Sequence, residues 1–130
     1  MKKTVRSALA LFLALALLVA GAATALAVQP RFTAIITMYS TLQISSVGRT
    51  TCEGGASLRD GYTADVTVEL KQDGTVIKTW TDSGSGDPFA GGHYYVAKGH
   101  EYVVTSTVTV YDSHGRLVES PSQDSPTRTY

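Results

Sequence analysis

One cysteine, three histidines and eleven acidic side chains are the first candidates in this chain for nucleophile, general base or metal ligand. Cys52 would attack only as a thiolate, which requires an electropositive, partly exposed setting and a base such as His93 or His100 in reach. A zinc site would need His93 and His100 joined by a carboxylate such as Asp82 or Asp87. Those histidines lie seven residues apart around YYVAKG, with no HExxH and no Cys/His cluster beside them. Asp60, Asp73, Asp82, Asp87 and Asp112 fall in or near turn signals, where aspartate bonds local backbone. His114 sits inside the DSHG turn. The expectation is no catalytic residue, no cofactor and no metal, with the histidines in surface loops and without matched partners.

Aromatic side chains offer contact rather than catalysis. Tyr94 and Tyr95 are adjacent, so on a strand one of them must face outward, and Tyr111 falls on the polar face of its segment. Phe89 lies in SGSGDPFAGGH (83–93), read as a long flexible loop; it either tucks over the end of the core or stands exposed. Exposed aromatics stack on sugars or anchor protein partners, and they also serve as cross-strand pairs on a solvated sheet. Phe89, Tyr94, Tyr95 and Tyr111 are the candidate surface contacts.

The elements that must position these residues read as strands. Val-, Thr- and Tyr-rich segments separated by turn signals predict strands over 32–39, 42–46, 50–58, 62–72, 75–83, 93–97, 101–112 and 117–120. In residues 101–112, Tyr102, Val104, Ser106, Val108 and Val110 share one face, while Val103, Thr105, Thr107, Thr109 and Tyr111 share a solvated one. Val66, Val68 and Leu70 form the core face of another strand. Cys52 alternates with Thr50, Gly54, Ala56 and Leu58, which makes it a buried small hydrophobe; a reactive thiol or an intermolecular disulfide are the alternatives. At QDG (72–74), a three-residue loop with Gly74 left-handed would pair Leu70 with Val76 and turn Trp80 inward opposite Val66, as the largest apolar contributor to the core. A two-residue Asp-Gly loop would pair Leu70 with Ile77 and turn Trp80 outward. The last residues, SQDSPTRTY, are polar and expected to fray. The fold class is all-β: an antiparallel sandwich of about seven strands.

KGHEYVVTSTVTVYDSHG resembles the sixth strand of a fibronectin type III module: a Gly, a Tyr, then alternating valines running into a polar turn. The resemblance implies that the Tyr102 hydroxyl ties back to the preceding loop. RTTCEGGASL is similar to the second strand of an immunoglobulin domain, with Cys52 where the first cysteine stands; the matching second cysteine is absent, so no disulfide carries over. ISSVGRTTCEGGASL through GYTADVTVELKQDG to YDSHGRLVES also resembles a group of small secreted bacterial proteins of unknown function, mainly Gram-positive. That resemblance brings no activity with it.

MKKTVRSALALFLALALLVAGAATALA (1–27) reads as a signal peptide. Lys2, Lys3 and Arg6 precede an apolar stretch over 8–20, and Ala25-Leu26-Ala27 supplies the cleavage pattern. The stretch falls short of the roughly 20 apolar residues of a membrane span. Cleavage leaves residues 28–130 as a single β-sandwich domain, released without a lipid or sorting anchor. Removing three of eleven basic residues leaves eight against eleven acidic, a formal charge of −3. That disfavours nucleic acid and an anionic membrane surface as partners. The expected protein is a secreted, non-enzymatic module binding an unidentified glycan, cell surface or protein through loops and outer-face aromatics. The alternative is a structural protein that self-associates through edge strands at 32–39 and 117–120.

Overall fold

The computed structural model describes residues 32–130; the leader assignment (1–27) and the first residues of the expected domain lie outside the described residues. The described chain is all-β, with nine strands and no helix. They are β1 (Ile35–Ile44), β2 (Arg49–Leu58), β3 (Thr63–Gln72), β4 (Thr75–Ser85), β5 (Phe89–Tyr95), β6 (Glu101–Tyr111), β7 (Leu117–Glu119), β8 (Ser122–Asp124) and β9 (Arg128–Thr129). All pairings are antiparallel. One sheet has the order β1-β2-β5. The other runs β4-β3-β6, with β7, β8 and β9 in turn along the far edge of β6. The sheets pack face to face, β2 over β3 and β6, an arrangement compatible with a β-sandwich.

Period-two alternation explains the core. Tyr102, Val104, Ser106, Val108 and Val110 of β6 are all fully buried, as are Val66, Val68 and Leu70 of β3. Each such valine or leucine contributes about 1.5–3 kcal/mol on leaving water. From β2, Thr50, Cys52, Gly54, Ala56 and Leu58 face them. At Gly54 the two sheets approach closely. A Cβ there would overlap the Ser106 hydroxyl and stand 2.6 Å from Ser106 Cβ. The Ser106 hydroxyl is itself buried without a hydrogen-bond partner.

Several expectations need correction. The segments 32–39 and 42–46 form one strand, β1, because Thr41 continues the ladder opposite Glu53. The segment 83–93 is mostly strand rather than loop: β4 runs to Ser85, β5 starts at Phe89, and the Pro88 carbonyl accepts from Ala56 N–H, 3.1 Å. The last residues do not fray either. Residues 117–129 run antiparallel along β6, and proline, which lacks an N–H, divides them into three strands at Pro121 and Pro126. Thr105 donates to Asp124 Oδ1 (2.6 Å), while Thr107 pairs with Ser122 (2.8 Å) and Thr109 with Ser120 (2.7 Å). The threonine face of β6 is thus a hydroxyl ladder.

The β3–β4 hairpin departs from both geometries considered for it. Asp73 and Gly74 are both left-handed (φ 49° and 85°) and close a two-residue turn with Gln72 opposite Thr75. A bulge then leaves Ile77 unpaired, so Leu70 meets Lys78 and Val68 meets Trp80. The extra residue restores parity, and Trp80 turns inward after all. It is only half-buried, against Gly92 of β5, so Tyr102 and not Trp80 is the largest fully buried side chain. At the opposite corner Glu119 of β7 clasps the start of β1. Its carboxylate accepts the N–H groups of Thr33, Ala34 and Ile35 at 3.0, 2.7 and 3.1 Å.

Candidate functional site

The outward face of the β1-β2-β5 sheet gathers exposed aromatics on small residues. Register places Tyr39 of β1, Gly55 of β2 and Phe89 of β5 in one row across the sheet. Phe89 is 59% exposed and Tyr39 40%. Gly55 is what lets them share a surface. A Cβ there would lie 2.5 Å from the Pro88 carbonyl and 2.9 Å from Phe89 Cβ, so only bare backbone allows β5 to start this close. The adjoining rows are Thr41–Glu53–Gly91 on one side and Thr37–Ser57 on the other. Ser57 donates to Asp87 Oδ1 at 2.7 Å. Burial, and then the carboxylates of Glu53 and Asp87, hold the Tyr39 phenol above its usual range.

The four aromatics singled out from sequence do not form one cluster. Phe89 and Tyr95 share the outward parity of β5, six residues apart, with Tyr95 opposite Arg49. Tyr94 has the opposite parity, and its carbonyl accepts the Thr50 hydroxyl, 2.8 Å. Tyr111 lies on the other sheet, half-buried beside Leu117. Tyr39 was missed because its placement depends on the β1–β2 register, which no local pattern carries; the alternation Tyr39, Thr41, Gln43 was the available signal.

The chemistry-bearing residues are scattered. Cys52 is fully buried, its thiol donates to Thr50 Oγ1 (3.4 Å), and burial pushes its pKa up against the lowering by that bond. His93 lies in β5 near Thr51 Oγ1 and the Thr50 carbonyl, at 3.3 and 3.2 Å. His100 has the partner the sequence did not reveal. Its Nδ1 lies 2.5 Å from Asp73 Oδ2, while Asp73 Oδ1 accepts from Glu101 N–H at 3.0 Å. The backbone bond, and then His100, hold the Asp73 carboxyl below its usual range. The pair fastens the β3–β4 turn to the start of β6. Beside it an open cleft of about 300 Å³ is lined by Lys71, Asp73, Glu101 and Asp124. His114 stays in its turn, where Asp112 Oδ1 accepts from His114 and Arg116 N–H.

Among the described residues no group of three or more His, Cys, Asp or Glu side chains converges as a metal site would require. No family model and no curated protein matches this chain. A sheet face carrying two exposed aromatic side chains in one row, with carboxylates and hydroxyls at its margins, can stack against a planar or ring-shaped ligand and hydrogen-bond its edge.

Proposed function

We propose that this chain is an exported, non-enzymatic binding module of immunoglobulin-like, fibronectin type III-like architecture, and that it recognises an extracellular glycan on the Tyr39–Gly55–Phe89 platform. The strand order, β1-β2-β5 facing β4-β3-β6-β7, supports the architecture. So does Tyr102: its hydroxyl donates to the carbonyl of Ala97, five residues upstream, at 2.6 Å. The leader-like residues 1–27 support export. The observation that carries the binding reading is the pair of exposed aromatic side chains, Tyr39 and Phe89, placed by register on either side of bare Gly55 backbone. Pyranose rings present a flat C–H face to such a surface and hydroxyls to carboxylates and Ser or Thr at its rim.

Calorimetric titration of the exported protein with cell-wall and extracellular oligosaccharides tests this. Binding should be detectable at about millimolar concentration. Replacing Tyr39 or Phe89 by alanine should weaken it by about five- to tenfold each, as the loss of an aromatic contact of about 1 kcal/mol predicts. The reading fails if no glycan binds, or if binding ignores both substitutions. The free edge of β5 favours a second reading, self-association by strand addition; a monodisperse monomer at high concentration would exclude it.

A further inference from the structure

We infer that the platform selects a positively charged sugar, an amino sugar whose amine is free rather than acylated. The inference rests on the glycan reading above and deepens it. The aromatic row has a carboxylate on each side: Glu53 in the row of Thr41 and Gly91, and Asp87 held by Ser57 in the row of Thr37. Neither forms an ion pair with a described residue. The one ion pair among the described residues is His100–Asp73, on the other sheet. Arg49 shares the outward face but stands four residues along β2 from Glu53, about 13 Å between backbones at the rise of a strand. That exceeds the screening length of about 8–10 Å in physiological salt. His93 faces outward in the row next to Glu53, opposite Thr51, with its Nδ1 against the Thr51 hydroxyl and the Thr50 carbonyl at 3.3 and 3.2 Å. Arg59, just beyond β2, forms no ion pair with Asp87.

An aromatic face bordered by unpaired carboxylates favours a cation over a neutral group. The ring quadrupole and the two charges act in the same direction. A free amine on a pyranose places an ammonium at the ring edge while the C–H face stacks, so one ligand satisfies Tyr39, Phe89, Glu53 and Asp87 together. An N-acetyl group removes that charge and adds bulk at the same edge. A peptide lysine would bring the charge without the rigid flat ring that a shallow, open surface holds best.

The test compares a glucosamine hexamer with its N-acetylated counterpart, titrated against the exported protein at slightly acid pH, where the amines are charged. Two exposed charge contacts predict about tenfold tighter binding of the free-amine hexamer, weakening as salt is raised. Glu53→Gln with Asp87→Asn should abolish that preference and leave the urea midpoint unchanged, since both residues are on the surface. Equal affinity for the two hexamers, or a preference surviving the double substitution, overturns the charge inference while Tyr39- and Phe89-dependent binding keeps the platform reading. Tight binding of a lysine-rich peptide with none of the glucosamine hexamer overturns it in favour of a protein partner. Failure of every glycan to bind removes both readings.

Discussion

Gly54→Ala should destabilise the domain by about 3 kcal/mol, the upper part of the range for overpacking a core. An added Cβ would stand 2.6 Å from Ser106 Cβ and 3.0 Å from Val68 Cγ2. Ordinary carbon contacts need about 3.5–4.0 Å, so the sheets would have to part by about 1 Å at this point. Neither obstacle is the free end of a flexible side chain. Val68 and Ser106 are fully buried and pair with each other across β3 and β6. For a domain of this size the loss corresponds to roughly 15 °C in Tm. Urea unfolding followed by Trp80 fluorescence measures it, with the slope unchanged and the midpoint lowered. Ser106→Gly in the same chain removes the obstructing side chain and should restore most of the loss. Ser106→Ala alone should run the other way, stabilising by about 0.5–1 kcal/mol, because it deletes a buried hydroxyl that has no partner. A Gly54→Ala variant within about 0.5 kcal/mol of the parent, a scale typical of surface changes, would refute the face-to-face apposition of β2 and β6.

Other substitutions probe the tethers. Tyr102→Phe keeps the buried ring but strips the Ala97 carbonyl of its donor, costing about 1–2 kcal/mol and roughly 8 °C in Tm by differential scanning calorimetry; an unchanged Tm would mean that water replaces the bond. Asp73 and Asp112 have carboxyls held low mainly by backbone N–H groups, of Glu101 and of Arg116 respectively. A depressed carboxyl contributes stability that is present above its unfolded value, about 3.9, and lost as pH falls through the folded one. Asp73→Asn with Asp112→Asn, which retains turn-compatible side chains, should therefore flatten the decline of the urea midpoint below about pH 4; parallel declines would refute the assignment. Cys52, fully buried with a raised pKa, should resist a thiol reagent in the native protein and react once it is unfolded. Rapid native labelling would contradict the core described for β2.

What could be read beforehand was whatever a single strand records about its own two faces. The alternation of β6, β3 and β2 is local, so Tyr102, Val66 and Cys52 were legible as core from neighbours two residues away. Relations between strands were not. Tyr39 and Phe89 come into one row only through two registers and a turn at residues 86–88. His100 reaches Asp73 because a left-handed pair turns the hairpin back onto the start of β6, 27 residues away in sequence. The bulge at Ile77 inverted the logic that tied loop length to the direction of Trp80, since one unpaired residue exchanges the faces of everything beyond it. Strands β8 and β9 were illegible for a different reason. They are two or three residues long, polar, and exist through bonds that β6 supplies rather than through burial of their own.

The dependence of β6 on residues 117–129 has a consequence in time. The chain is made from its N-terminus, and 128 residues must be made before Tyr102 and Arg128 can pair. Until then the valine-rich strand β6 has one side open, with backbone groups available to any passing strand. Pairing across such sequence distances is slow to form, and unsatisfied edges of this kind are where newly made β-proteins aggregate. If the protein is exported unfolded, it arrives outside with β1 to β5 already through and the closing segment still in transit. Its yield should then respond to the speed of translocation and to folding helpers outside the membrane more than to changes in its final stability.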